Sequence, residues 1–407
     1  MMYLLLLVMK RGIIRLYKID ILFLDREFEH DVYELIKAFY PEAEIHTLYD
    51  EAEAGEYDLR FRVERENETY KISYDRRENV TAGFTERKGV ASADVIGEDK
   101  LTVKDPHALR KENKDALKYV LYQLLVKLTG RTLPWGNLTG IRPAKLAMGM
   151  IESGMKNTEA AREMREKYLV SPEKTALAVT IANREREILK DIDYENGYSL
   201  YIGIPFCPSI CLYCSFSSYP LKVWEKRTDE YVEALCKEIR ETAFLMQGRK
   251  LDTIYIGGGT PTTLLPHQLR KLLDTLGEAF GYEGLAEFTI EAGRPDSITR
   301  EKLQAIREYP VTRISVNPQT MNQETLDLIG RRHTVEQTRE AFYLARELGY
   351  DNINMDLIVG LPGEDISMVE RTLEQIQELA PDSMTVHSLA VKRAARLNIF
   401  KEKYQEM

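Results

Sequence analysis

Apolar and polar positions change rhythm three times along this chain, and each change marks a different kind of packing. Residues 13–24 are mostly apolar, as expected of a buried strand. Phe28, Val32, Leu35, Ile36 and Phe39 then recur at three- and four-residue steps, which places them on one face of a helix. Leu59, Phe61 and Val63 alternate with polar residues, as do Tyr70, Ile72 and Tyr74, across the polar turn Glu66-Asn67-Glu68. That pattern predicts a hairpin. Residues 1–105 therefore read as a small α+β domain. The apolar start from Met1 to Met9 has no basic leader or cleavage site and is too short to span a bilayer, so it reads as a buried first strand or an early start site.

Residues 106–190 read as a helical connecting region, broken by the segment from Leu133 to Pro143. Pro143 suits the first turn of a helix, with Gly140 loosening the approach. A polar stretch from Asp191 to Ser199 leads into the third region, 196–407. Here six short apolar runs are predicted as strands, at 200–206, 253–256, 287–292, 313–316, 353–359 and 384–389. Helical stripes lie between them, for example Leu269, Leu272, Leu273, Leu276 and Phe280, or Val369, Leu373, Ile376 and Ala380. Strands alternating with helices over short connections imply an α/β arrangement of parallel strands and crossover helices.

Charge and cysteine content narrow the function. The 407 residues carry a net charge of -9, and neither sign forms long blocks, so no basic stripe points to nucleic acid or an anionic membrane. No membrane span is expected either. Four cysteines do not make a disulfide framework, and thiols kept reduced fit a cytoplasmic setting. Three of the four fall within eight residues, as Cys207-Pro-Ser-Ile-Cys211-Leu-Tyr-Cys214. A tetrahedral zinc site wants four protein ligands, whereas a four-iron cluster held by three thiolates leaves one iron open. A structural zinc protein remains the competing reading of these residues. Cys236 shares helical spacing with Val232, Leu235 and Ile239, and reads as a core residue.

Further polar residues stand at the ends of successive predicted strands. They are the glycine turn Gly257-Gly-Gly-Thr-Pro-Thr262, then Glu291, Gln319 with Arg331 twelve residues on, and Asp356. A run of glycines lets backbone amides approach a ligand and can form an anion-binding nest.

Together with Tyr201-Ile-Gly-Ile-Pro-Phe-Cys207 and Asp356-Leu-Ile-Val-Gly-Leu-Pro362, these segments resemble the radical S-adenosylmethionine (SAM) enzymes, over about half the chain from Tyr201 onward. They resemble in particular the oxygen-independent coproporphyrinogen III oxidases, also called dehydrogenases. Thr139-Gly-Ile-Arg-Pro-Ala-Lys-Leu146 resembles the HemZ branch of that family. The resemblance implies a partial (β/α)6 barrel related to the TIM barrel, with chemistry at the C-terminal strand ends. It implies a [4Fe-4S] cluster on Cys207, Cys211 and Cys214, with SAM chelated by the open iron and cleaved after one-electron reduction to give a radical that takes hydrogen from substrate. Tyr201 and Tyr213 would lie beside SAM and the cluster, Gly258, Gly259 and Thr260 would cradle the SAM amino group, Glu291, Gln319, Arg331 and Asp356 would contact SAM, and Ala390 would pack on its adenine or ribose. No catalytic residue is assigned, and His387 is given no role.

The implied reaction is oxidative decarboxylation of two propionates of coproporphyrinogen III, giving protoporphyrinogen IX, with an electron donor as partner. A tetrapyrrole with four carboxylates calls for cations, and Arg294, Lys392 and Arg393 are the candidates. Two positions depart from the best-studied oxidases. Phe216 stands where they have a fourth cysteine, a change shared with haem chaperones of the family, and Asn317-Pro-Gln319 replaces their Gly-Val-Gln. The chain stops at Met407, soon after the sixth strand, while family members continue into a C-terminal domain, so it reads as a fragment. A haem chaperone-like protein and another radical reaction on a tetrapyrrole are the alternatives.

Overall fold

The computed structural model describes residues 8–10, 13–15, 17–53, 56–66, 69–80, 83–94, 106–392 and 394–399. Two units, Met1–Lys190 and Asp191–Met407, each hold their own core and are described separately.

In the first unit the apolar run at 13–24 is not one strand. Ile13–Arg15 pairs antiparallel with Val8–Lys10 in a two-stranded sheet, and Lys18–Phe23 (β1) enters a separate five-stranded sheet. The apolar face read at Phe28 to Phe39 forms helix α1 (Glu29–Phe39), with Val32, Leu35, Ile36 and Phe39 buried. Glu44–Leu48 (β2) and Leu59–Glu66 (β3) flank β1, both parallel to it. The expected hairpin is β3 against Thr69–Val80 (β4), with Phe61 opposite Tyr74 and Val63 opposite Ile72; part of its turn, residues 67–68, lies outside the described residues. Gly83–Asp94 (β5) adds an antiparallel strand beyond β4. Helix α2 (Pro106–Thr129) covers this sheet with Leu117, Leu121, Tyr122, Leu124 and Leu125. Pro143 opens helix α3 (Pro143–Glu152) at its first turn, where a missing N–H costs nothing. Helices α4 (Asn157–Glu166) and α5 (Pro172–Ile188) pack on it around Ala147, Ala160, Met164 and Ala178.

The second unit is a curled sheet of six parallel strands. In chain order they are β6 (Gly197–Ile204), β7 (Lys250–Gly258), β8 (Glu287–Gly293), β9 (Arg313–Val316), β10 (Ile353–Val359) and β11 (Ser383–Ser388), each beside the next. Helices α6 (Thr228–Leu245), α7 (Pro266–Phe280), α8 (Arg300–Arg307), α9 (Gln323–Leu328), α10 (Val335–Glu347) and α11 (Ile366–Leu379) fill the crossovers. Alternation along the strands sorts the two faces. Ile202, Ile204, Ile254, Ile256, Phe288, Ile290, Ile314 and Met355 join the helices in one core, which also takes in Cys236. Leu269, Leu272, Leu273 and Leu276 of α7 are all buried there, each contributing about 1.5–3 kcal/mol of burial. The α11 stripe differs from expectation. Thr372, Ile376 and Leu379 are buried, whereas Leu373 is 39% exposed and Ala380 leaves the helix at φ +52. Among the described residues no helix is long and apolar enough to cross a membrane.

Candidate functional site

β6 ends at Ile204, and Phe206–Cys207 then pairs with Tyr219–Pro220, closing the cysteine segment into a loop at the C-terminal end of the first barrel strand. Tyr219 N–H donates to Pro205 O at 2.8 Å across its neck. Cys211 is buried, Cys207 and Cys214 are half-buried, and all three thiols are free. Two contacts tie the loop to the segment after α9: Leu212 N–H to Ile329 O at 2.9 Å, and the Ser209 hydroxyl to Gly330 O at 2.8 Å. Leu212 packs on Ile329 and Leu361, with Tyr213 at the margin of that cluster. The Thr260 hydroxyl donates to Cys207 Sγ at 3.7 Å. Burial pushes the Cys207 thiol up, and the Thr260 hydroxyl opposes the shift.

Among the described residues no three Cys, His, Asp or Glu side chains converge on one metal-ion position. Three thiols spaced along one loop suit the three-thiolate hold on a four-iron cluster, whose corners do not require them to converge on a single metal ion.

The glycine turn after β7 is pressed against this loop. Gly259 N–H donates to Ile204 O at 2.7 Å, and a Cβ on Gly259 would lie 2.6 Å from Phe206 O. Gly258 has φ +105, which L side chains rarely adopt. The turn therefore offers bare backbone beside Thr260 and the cysteines, the surface that a small polar ligand head needs.

Tyr201, 61% exposed, stacks on Tyr255 with centroids 5.8 Å apart. The Tyr255 hydroxyl donates to Glu291 Oε1 at 2.5 Å. Burial pushes the Glu291 carboxyl up to about 7; the Tyr255 hydrogen bond holds it down and the Asp356 charge adds to the rise. Asp356 accepts from Asn354 Nδ2 at 2.7 Å. Gln319 adopts φ +72, held by its N–H to Asp356 O at 3.0 Å and by Ile358 N–H to its own O at 2.9 Å, and its buried Oε1 has no partner. A left-handed non-glycine residue with an unsatisfied amide oxygen is the kind of strain that collects at ligand sites. Arg331 is 5% exposed and donates to Asn317 O and to Pro318 O, and its Nε has no partner. These orphaned atoms and the side-chain-free cradle fit a polar cofactor.

Thr260 thus meets Cys207, Glu291 lies near Asp356 and accepts from Tyr255, and Gln319 is bound through its backbone to Asp356. Ala390 is exposed, past β11, where Leu389 N–H donates to Val359 O at 2.9 Å. Of the expected substrate cations, Lys392 is exposed and Arg393 lies outside the described residues. Arg294 departs from expectation: it is 2% exposed and spends its guanidinium on Asp296 and Ser209, so it is not a free cation. Tyr255, which bonds Glu291 and stacks on Tyr201, lies outside the sequence motifs. Its signal was parity, since Tyr255 shares the strand face of Gly257, two residues on.

The radical SAM superfamily profile matches residues 201–376. The oxygen-independent coproporphyrinogen-III oxidase-like protein HemZ of Bacillus subtilis (strain 168) is 41% identical over 299 residues, 72% of this chain and 60% of that protein. The haem chaperone HemW of the same organism is 39% identical over 195 residues, 48% of this chain and 51% of its own. The oxygen-independent coproporphyrinogen III oxidase of Escherichia coli (strain K12) is 35% identical over 196 residues, 48% of this chain and 42% of its own. The chain thus spans between about two fifths and three fifths of these relatives. With three thiols on one barrel loop beside a glycine cradle, this chain belongs to the radical SAM superfamily, whose members use a [4Fe-4S] cluster and SAM, among the coproporphyrinogen oxidase-like proteins that include HemZ.

Proposed function

We propose that the protein carries out the oxidative decarboxylation of coproporphyrinogen III to protoporphyrinogen IX. The observation that carries this reading is the likeness to HemZ, which is longer than the whole second unit and so takes in part of the first as well as the barrel. When bound, the cluster and SAM supply one-electron cleavage of SAM and hydrogen-atom removal. The chain's own residues have other tasks. Cys207, Cys211 and Cys214 would hold the cluster, and the turn at Gly258 to Thr260 would receive the polar head of SAM. Glu291, oriented by Tyr255, would accept from its hydroxyls or ammonium. Gln319 and Arg331 would place unsatisfied polar atoms toward the same ligand. The apolar packing of Leu212 on Ile329 and Leu361 would keep water from one side of the loop.

A second reading, a haem-delivery protein that keeps the cluster and SAM site, is favoured by Phe216. It stands 75% exposed two residues after Cys214, and HemW is among the relatives. Anaerobic assay of the full-length, cluster-loaded protein with coproporphyrinogen III, SAM and a reductant decides between them. The oxidase reading expects protoporphyrinogen with release of carbon dioxide; haem retained at one per chain with no decarboxylated product would overturn it.

A further inference from the structure

We propose that Arg294 is a positioning residue for the cysteine loop, a brace that sets the arch between Cys207 and Cys211 before any iron arrives. The inference rests on the cluster assignment and is independent of the substrate. Arg294 follows β8, is 2% exposed, and makes four hydrogen bonds. Nε and Nη2 fork onto the Asp296 carboxylate at 3.0 and 2.8 Å. Nη1 reaches across 85 residues of sequence to Ser209, meeting its carbonyl oxygen at 3.1 Å and its hydroxyl at 2.6 Å. Ser209 lies midway between Cys207 and Cys211, and its hydroxyl passes the contact on to Gly330 O at 2.8 Å. The arch is therefore gripped from both sides, by the end of β8 and by the segment after α9.

The backbone that delivers Arg294 is itself shaped for this. β8 and β9 slip register between Glu291 and Gly293, and Gly293 takes φ +72. A Cβ there would lie 3.1 Å from Thr260 Cγ2, so the bulge also backs the threonine that donates to Cys207. A buried guanidinium is kept only where its charge is matched and its donors are filled, and Asp296 supplies the match. Assembling a cluster on three thiols requires their loop to be ordered, and a loop ordered by the protein fold no longer charges that entropy to cluster assembly.

The test compares Arg294→Met, Arg294→Lys and Ser209→Ala with the unaltered full-length chain. In the cluster-free protein, hydrogen exchange of the peptide covering residues 207–214 is expected to speed up about tenfold in Arg294→Met, while peptides from α7 and β7 stay unchanged. The cluster-loaded protein is expected to surrender iron to a chelator faster by a similar factor. Arg294→Lys keeps the charge but loses the fork, and should fall between. An unchanged loop and unchanged iron release in Arg294→Met overturn the brace. Should Arg294→Met loosen the whole unit, Ser209→Ala decides. It removes the hydroxyl's contacts to Arg294 and Gly330 and leaves the bond from Arg294 to the Ser209 carbonyl, so faster exchange confined to 207–214 supports the grip on the arch and an unchanged loop overturns it.

Discussion

Tyr255 and Glu291 stand on adjacent strands, β7 and β8, and share a hydrogen bond of 2.5 Å beside the glycine turn. A Cβ at Gly257 would touch both of them, at 2.7 Å from the Tyr255 ring and 2.9 Å from Glu291 Oε1. The bare turn and the oriented carboxyl are thus one packing unit. Because the carboxyl is desolvated, it keeps its proton to higher pH in the folded chain than in the unfolded one.

That difference has a sign. Glu291 rises from an ordinary 4.5 to about 7 on folding, so its favourable contribution is complete below 4.5 and is lost as pH climbs through 7. Glu291→Gln removes the titration. Urea unfolding of the cluster-free protein should show this variant gaining on the parent between pH 5 and pH 8, by on the order of 2–3 kcal/mol. Parallel stability curves for the two proteins would contradict the buried carboxyl. Tyr255→Phe, which removes the hydrogen bond that holds the carboxyl down, should move the midpoint of this loss to still higher pH.

The four cysteines should divide three to one. Alanine at Cys207, Cys211 or Cys214 is expected to abolish iron and the absorption near 400 nm after anaerobic reconstitution, with the fold intact. Cys236 is wholly buried in the barrel core, with its sulfur 4.0 Å from Lys271 O. Cys236→Ala should load iron normally and lose only about 1 kcal/mol of stability through the cavity it leaves. Iron content and denaturant midpoints measured side by side check both halves.

Most of the second unit was legible because its strands obey a two-residue rhythm. Ile202, Ile254 and Ile290 face the helices, while Tyr201, Tyr255 and Glu291 occupy the opposite parity. The cysteine loop was legible because its ligands are local. What escaped was long-range or multivalent. Arg294 looks like a surface cation until Ser209, 85 residues away, closes on it. The α11 stripe misled because Leu373 and Ala380 fit the helical period but lie where the helix turns outward or ends, and Thr372 is buried in their place to bond Met321 N–H. Strand β5 gave no clear apolar alternation, and its pairing to β4 over twelve residues supplies what the side-chain pattern does not announce.

Gly259 sets how closely the glycine turn approaches the cysteine strand. A methyl group there meets backbone oxygens, which cannot swing aside, at 2.6 and 2.9 Å. Gly259→Ala should therefore push the turn away and cost about 1–3 kcal/mol of stability. The cysteines lie on the other side of the contact, so iron content should hold while SAM affinity, measured by calorimetry on the loaded protein, falls at least about tenfold. Unchanged SAM affinity would remove the turn from the binding site.

Gln319 offers the sharpest separation of stability from binding. Its φ of +72 is a conformation that glycine adopts freely and that costs other residues about 1–2 kcal/mol, and its buried Oε1 has no partner in the protein. A ligand that collects the amide would account for both penalties. Gln319→Gly relieves the strain and deletes the orphan, at the expense of a more flexible unfolded chain worth about 0.4–1 kcal/mol. The expected balance is a cluster-free protein at least as stable as the parent, by up to about 1 kcal/mol, together with weaker SAM binding in the loaded form. A variant that loses stability and keeps SAM affinity would mean that the left-handed turn serves the fold through its hydrogen bonds to Asp356 and Ile358, and that Gln319 is no ligand contact.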